Sequence, residues 1–116
     1  ACKRLAALDA RELGYDAPAS FEFNAYIGPH ICASCFETGP DVAQRFASEI
    51  GPGCVPDARH VDLEEALILD FESAGLSRER IASAHACTKC EPDRFFSYRA
   101  SGGVCGRHGA LAFRSR

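Results

Sequence analysis

The stretch that decides the fold is Ile27-Gly28-Pro29-His30-Ile31-Cys32-Ala33-Ser34-Cys35-Phe36-Glu37-Thr38-Gly39. A strand-like run ends at its Gly-Pro pair, a loop with two thiols and one carboxylate follows, and a helix is predicted to begin at 39–41. Glycine permits backbone angles that are closed to other residues, and proline fixes its own. We therefore predict a rigid loop that presents Glu37 as a site residue.

Regular elements are predicted on both sides of this loop. Upstream, the spacing of leucines predicts an amphipathic helix over 2–13, and alternation of apolar and polar residues predicts a half-buried strand over 21–27. Downstream, Pro40 favours the first turn of a helix that stops at Gly51. The apolar stripe expected on this helix consists of Val42, Phe46 and Ile50.

A second helix is predicted after Asp62, because the sequence from 62 to 65 resembles a capping box. We expect it to stop at Gly75 and to turn four side chains inward, namely Leu63, Leu67, Phe71 and Ala74. Ser77 is expected to cap a short turn. The remaining predicted elements are a strand over 81–86, a loop over 87–95, a glycine-rich turn over 102–106 and a closing strand over 110–113. Helices that alternate with strands indicate an α/β, or mixed α+β, fold.

The composition excludes several classes of function. The chain has 116 residues, of which 47% are hydrophobic and 25% charged, and this suits one ordinary domain. A net charge of -3 with dispersed basic residues disfavours a nucleic-acid partner. No apolar run reaches the length of a membrane helix, and we see no leader. Because the seven cysteines are odd in number, we expect reduced thiols in a cytoplasmic protein.

Two motifs in this chain resemble a known family. The loop is similar to the Gly-Pro-x-Ile-x-x-x-Cys-Phe/Tyr-Glu-x-Gly signature of the YfiH-type laccase-domain family. The second motif resembles the closing pattern of that family, in the same order: Cys87-Thr88, Phe95-Phe96-Ser97-Tyr98-Arg99 and Gly106-Arg107. Together the two matches span most of the chain, from Tyr26 to Phe113.

The resemblance implies a fold and an activity. Family members were first described as multicopper polyphenol oxidases and are now regarded as zinc-dependent purine nucleoside phosphorylases, with a possible adenosine deaminase activity. The resemblance implies layered mixed sheets flanked by helices, and residues 1–116 would be the C-terminal part of that single domain. The expected substrates are a purine nucleoside and phosphate, and the expected partner is the missing N-terminal part or another copy of the chain.

The resemblance also places the metal elsewhere. The zinc centre of the family uses two histidines and a cysteine in motifs such as His-Ala-Gly-Trp-Arg-Gly and Ala-Asp-Cys, which this sequence lacks. We therefore expect the zinc ligands upstream of Ala1, no metal in this chain and no activity of the isolated chain. A domain that lacks its first part should expose apolar faces and self-associate.

Glu37 matches the acidic position of the family signature. Breaking a purine–ribose bond builds positive charge on the sugar, and a fixed carboxylate can hold ribose hydroxyls or the purine edge while that happens. The alternative is a surface glutamate that a helix dipole favours.

Arg99 and Arg107 flank the glycine-rich turn and are the candidate substrate-binding cations. A guanidinium matches the geometry of a phosphate. The alternative is a salt bridge that holds the C-terminal segment in place. We favour that structural role for Arg99, and both roles stay open for Arg107.

The cysteine pairs suggest a second function. Cys32-x-x-Cys35 and Cys87-x-x-Cys90 together provide the four thiolates of a tetrahedral zinc site, which would make the chain a structural or interaction module. The gap between the pairs is far longer than in a zinc finger or ribbon. We therefore favour thiols that pack as small apolar residues, and we do not expect thioredoxin-like redox catalysis, because neither pair begins a helix.

The histidines are scattered singly along the chain, at His30, His60, His85 and His108. Lone histidines are typical of surface or hydrogen-bonded positions. A multicopper site needs histidines in clustered pairs, so copper oxidation is the least favoured function.

Overall fold

A computed structural model of the protein describes residues 23–111. Its elements in chain order are strand β1 (Ala25–Ile27), helix α1 (Pro40–Glu49), helix α2 (Leu63–Ser73), strand β2 (Ile81–Ser83) and helix α3 (Tyr98–Ser101). Two 3-10 turns follow α1 and precede β2, at Pro52–Cys54 and Arg78–Arg80. The helix predicted over 2–13 and the first two residues of the strand predicted over 21–27 lie outside the described residues.

The two strands form a parallel pair in which Ala25 lies opposite Ile81 and Ile27 opposite Ser83. Burial follows the predicted alternation, since Ala25 and Ile27 are buried and Tyr26 is exposed. A parallel pair needs a long crossover, and both α1 and α2 lie in the connection. This combination of helices with a small parallel sheet confirms the α/β fold class.

Helix α1 begins at Pro40 as predicted, with Gly39 extended at the N-cap. The buried residue of α1 is Ala43, whereas two members of the predicted apolar stripe, Val42 and Ile50, are 37% and 38% exposed. The small side chain of Ala43 lets the backbone of α1 approach the rest of the protein. The larger apolar side chains line an open groove of about 330 Å³ on the outer surface.

Helix α2 begins after Asp62, whose carboxylate accepts a hydrogen bond from the backbone N–H of Glu65 at 3.1 Å. The predicted cap is therefore confirmed, as is the end of the helix before Gly75. Its inward face is centred on Ala66, and Leu67 is 42% exposed, which corrects the prediction that Leu67 packs inward.

The buried core is small and lies largely between the helices and the turn at Pro52–Cys54. Val61 and Cys54 are fully buried, and the N–H of Asp62 donates to the carbonyl of Cys54 at 2.8 Å. The other buried apolar residues are Ala25, Ile27, Ala43, Ala66, Leu76 and Ala86. This core fixes where α2 begins relative to the end of α1.

The segment after β2 has less regular structure than predicted. The strand ends at Ser83 rather than Ala86, because His85 adopts a positive φ of 50° that an extended strand does not allow. The turn at Arg78–Arg80 forms, but the Ser77 side chain makes no capping hydrogen bond. The loop predicted over 87–95 is confirmed, since it contains no helix or strand.

The C-terminal part of the described chain is held by α3. The Ser97 hydroxyl accepts from the N–H of Ala100 at 3.2 Å, and Gly102 ends the helix in the left-handed conformation at φ 68°. The glycine-rich turn is thus confirmed. Of the closing strand predicted over 110–113, the two described residues form no strand, and Leu111 is exposed. No helix within residues 23–111 is long and apolar enough to span a membrane.

Candidate functional site

The loop between β1 and α1 is fixed by backbone hydrogen bonds on both sides. His30 N–H donates to Ala86 and Thr88 N–H donates to His30, each at 3.0 Å, which continues the parallel pairing beyond the strands. On the other side, Thr38 N–H donates to the carbonyl of Arg59 at 2.6 Å. The loop therefore has the rigid backbone that the sequence predicted.

Glu37 lies on the outer edge of this loop. Its backbone pairs with His60, while its carboxylate is 58% exposed and contacts the Nε of Arg59 at 3.3 Å. Arg59 is a neighbour that the sequence did not reveal, because 22 positions separate it from Glu37. The carboxylate is thus fixed at its base and accessible at its tip.

Asp57 organises the segment that carries Arg59. Its carboxylate accepts from the backbone N–H of Arg59 at 2.8 Å and lies 2.9 Å from Nδ1 of His60. These hydrogen bonds, that from Arg59 above all, lower the pKa of Asp57 below its ordinary value. The ionised form of Asp57 therefore supports the strand-like pairing behind Glu37.

Arg99 contacts the backbone and the aromatic side chain of the same loop. Its guanidinium donates to the backbone carbonyl of Glu37 at 2.5 Å and lies 5.3 Å from the centre of the Phe36 ring. The guanidinium therefore contacts the backbone of the loop and not the Glu37 carboxylate, and these contacts are not the salt bridge that the structural alternative expected.

Arg107 lies in a separate cleft of about 250 Å³ at the glycine-rich turn. A neighbouring cleft of about 320 Å³ contains Arg99 and shares three walls with it, namely Phe96, Tyr98 and His108. Gly103 is needed here, because its φ is 100° and an added Cβ would lie 3.2 Å from the Tyr98 ring. The two arginines therefore line adjacent clefts, and the Glu37 carboxylate lines neither of them.

The four cysteines of the two Cys-x-x-Cys pairs converge. Their sulfur atoms all lie within 4.8 Å of one another, and the sulfurs of Cys35 and Cys90 are 3.5 Å apart. The pairing of His30 with Cys87 brings the two loops together, although Cys35 and Cys90 are 55 positions apart in the sequence. The cysteines are also not buried fillers, since Cys90 is exposed and the other three are half-buried.

The backbone around Cys87 favours its thiolate. Burial opposes ionisation of Cys87, but the N–H groups of Cys32 and Cys90, at 3.2 and 3.4 Å from its sulfur, lower its pKa to about 6. Hydrogen bonding to Cys35, with further contributions from Cys87 and Cys32, raises the pKa of Cys90 to about 12. The thiolate of Cys87 therefore forms readily, and the thiol of Cys90 resists ionising beside it.

A second polar cluster, which no local pattern predicts, surrounds Glu64. Its carboxylate accepts from the Ser83 hydroxyl at 2.6 Å and lies 3.5 Å from His30 and 3.3 Å from His85. Glu64, His30 and His85 line a cleft of about 470 Å³, and Ser83 does not. The prediction that lone histidines are hydrogen-bonded or on the surface is confirmed for His30, His60 and His85.

Comparison with known proteins gives a consistent family. A sequence profile described as "Multi-copper polyphenol oxidoreductase laccase" matches residues 10–115. The chain is 31% identical over 90 residues to "Adenosine deaminase RL5" from an unknown prokaryotic organism, a match that covers 72% of this chain and 34% of the relative. It is 32% identical over 97 residues to "Purine nucleoside phosphorylase YlmD" of Geobacillus stearothermophilus, which covers 78% and 35%.

A solved structure shows the same fold. The crystal structure of YlmD from Geobacillus stearothermophilus superposes with a TM-score of 0.66 at 24% identity, over 90% of this chain and 40% of that one. The chain thus spans about a third of the length of the curated relatives that it matches.

Proposed function

Since the chain belongs to the family described as multi-copper polyphenol oxidoreductase laccase, we propose that it is part of a purine nucleoside phosphorylase. The complete protein would transfer the ribose of an adenosine- or inosine-type nucleoside to phosphate. The names of its relatives, one adenosine deaminase and several purine nucleoside phosphorylases, support this substrate class. Adenosine deamination is the accompanying activity to test.

The observation that carries the proposal is the presentation of Glu37. In phosphorolysis, a phosphate oxygen forms a bond to C1′ of the ribose while the C–N bond breaks, and its electron pair leaves with the base. Positive charge develops on the sugar, so a carboxylate fixed nearby stabilises the transition state more than the ground state. Such a carboxylate must be fixed in position and accessible to substrate. The backbone of Glu37 is paired with His60, and its carboxylate is accessible.

Two arginines provide cations of the kind that bind phosphate. Arg59 lies 3.3 Å from the Glu37 carboxylate, and Arg107 lines the cleft at the glycine-rich turn. Arg99 is assigned the supporting role, since its guanidinium is engaged by the Glu37 carbonyl and the Phe36 ring.

The described residues do not match the zinc centre that the family resemblance implies. Within residues 23–111, the one convergent group of three or more metal-ligating side chains is the four-cysteine cluster. His30 and His85 face Glu64 and form no two-histidine, one-cysteine group with a neighbouring thiol. The described residues therefore contribute no ligand set for a two-histidine, one-cysteine zinc.

The experiment is a substitution in the complete protein. Glu37→Gln removes the charge but keeps the shape, and we expect it to lower phosphorolysis by about 10²-fold. Stability should change little, because exposed ion pairs contribute about 0–1 kcal/mol. Release of free base from inosine and adenosine, with and without phosphate, measures the reaction, and ammonia release measures deamination.

Glu49→Gln is the matched control. Glu49 is also an exposed glutamate paired with an arginine, at 3.4 Å from Arg45, but it lies on α1 away from the loop. It should leave the rate unchanged. A Glu37→Gln protein with full activity would show that this carboxylate is an ordinary surface group.

A second candidate function is a zinc-binding structural or interaction module, which the convergence of the four cysteines favours. The two functions are compatible within one protein. All six cysteines in the described part are free thiols, so we also propose the reducing environment of the cytoplasm for this protein.

A further inference from the structure

The four sulfur atoms have the spacing of a tetrahedral metal site. Zinc–sulfur bonds of about 2.3 Å place the sulfurs of a tetrahedron about 3.8 Å apart. Here the Cys35 and Cys90 sulfurs are 3.5 Å apart, and no pair of the four exceeds 4.8 Å. Shifts of less than about 1 Å, which side-chain rotation supplies, complete the tetrahedron.

The backbone of each pair is already folded as a ligand turn. Cys35 N–H and Phe36 N–H both donate to the carbonyl of Cys32, at 3.0 and 2.9 Å, and Glu91 N–H donates to that of Cys87 at 3.1 Å. Each turn brings its two thiols to one side. No backbone rearrangement is therefore needed for all four to face a common centre.

Hydrogen-bond donors already surround two of the sulfur atoms. The backbone N–H groups of Cys32 and Cys90 are directed at the sulfur of Cys87. The Ser34 hydroxyl lies 3.3 Å from the sulfur of Cys32. Such outer-sphere hydrogen bonds orient thiolate ligands and stabilise their charge. Four thiolates this close repel one another strongly, and a divalent cation at the centre removes that repulsion.

We propose that Cys32, Cys35, Cys87 and Cys90 bind one Zn²⁺ as a closed four-thiolate centre. Four sulfur ligands in a tetrahedron leave no open position for water or substrate, so the role is structural. The ion fastens the loop that ends in Phe36 and Glu37 to the segment that follows β2. The centre is independent of the proposed phosphorolysis, and it is separate from a zinc held by two histidines and a cysteine.

The test measures metal in the 116-residue chain, purified under reducing conditions without added metal. We expect one zinc per chain by elemental mass spectrometry. Reconstitution of metal-free chain with Co²⁺ should give the charge-transfer and visible bands of tetrahedral thiolate coordination. Thiol titration should find four of the seven cysteines protected until a chelator is added.

Substitutions assign the ligands. Cys90→Ser removes an exposed ligand. Loss of an outer-sphere partner weakens metal binding by about 10–100-fold, so loss of a direct ligand should weaken zinc binding by at least about 100-fold. Cys105→Ser is the matched control, since Cys105 is an exposed free thiol outside the cluster, and it should keep the metal. In a longer protein with its own zinc, the measure is one zinc fewer in Cys90→Ser than in wild type.

Several results would overturn the proposal. These are a metal-free chain that takes up neither Zn²⁺ nor Co²⁺, stoichiometric iron in place of zinc, a Cys35–Cys90 disulfide under anaerobic reducing conditions, and undiminished zinc in Cys90→Ser. If Cys90→Ser does not fold, the Co²⁺ titration of the wild-type chain decides alone. If Cys90→Ser loses zinc while the complete wild-type protein shows no phosphorolysis, the four-cysteine centre is supported and the proposed enzyme is refuted.

Discussion

Substitution of Arg99 tests whether this cation positions the loop that carries Glu37 or binds substrate. Arg99→Ala removes the hydrogen bond to the Glu37 carbonyl and the contact with the Phe36 ring. A hydrogen bond to a charged group contributes about 1.5–3 kcal/mol when well shielded, and an exposed cation–π contact about 0.5–1 kcal/mol. The lower ends of these ranges add to about 2 kcal/mol, and because Arg99 is exposed and screened by solvent, we expect a loss of about 1–2 kcal/mol in the free energy of unfolding.

The assay combines thermal unfolding with kinetics of the complete protein. For the isolated chain, 1 kcal/mol corresponds to roughly 4–8 °C in Tm. If the complete protein is the proposed phosphorylase, loosening of the loop that carries Glu37 should lower kcat and leave the KM for phosphate nearly unchanged.

Arg94→Ala is the matched control. Arg94 also lies over a phenylalanine, 5.1 Å from the Phe95 ring, and pairs with Glu91 at 2.7 Å, but it does not contact the loop. It should cost some stability without changing kcat. If Arg99→Ala unfolds like wild type and raises the KM for phosphate instead, Arg99 is a substrate ligand and the positioning argument is wrong.

Two further predictions concern stability and association. Asp57 has a lowered pKa in the folded protein, so its contribution to stability is complete above its ordinary pKa and is lost as the pH falls through the folded pKa. Asp57→Asn should therefore reduce stability at neutral pH and match wild type once the pH is below the folded pKa, as acid unfolding curves would show. Equal stability of the two proteins at all pH values would contradict this. The groove formed by Val42, Phe46 and Ile50 should make the isolated chain self-associate, and Ile50→Glu should reduce that association in sedimentation velocity; a wild-type chain that stays monomeric at high concentration would show that this surface needs no cover.

Local signals in the sequence predicted where elements begin and end. Pro40 and Asp62 mark the starts of α1 and α2, because capping depends on residues within one turn of the helix end. Which face of each helix is buried depends on distant neighbours. Ala43 and Ala66 are the buried residues of α1 and α2, since both helices pack against the turn at Pro52–Cys54.

The candidate sites also combine residues that local patterns predict with residues that only long-range contacts bring together. Glu37 is predicted as a site residue from its own loop, whereas its neighbour Arg59 is identified only through the pairing of two distant segments. The spacing between the cysteine pairs argued against a shared site, and the parallel pairing of β1 with β2 removes that objection. The cluster around Glu64 joins residues from three parts of the chain and has no local signature.

The parallel pairing has a consequence for the order of folding. Ala25 and Ile81 meet across a crossover, and closing a loop of about 55 residues costs roughly 3–4 kcal/mol of chain entropy by the logarithmic length law. The two helices and the turn between them involve short separations, so they should form first and the strands should join late. A metal that binds the two cysteine pairs early would close the same loop in advance. Biosynthesis without zinc would then leave the strand edges unpaired for longer, at the stage when a chain is most prone to aggregate.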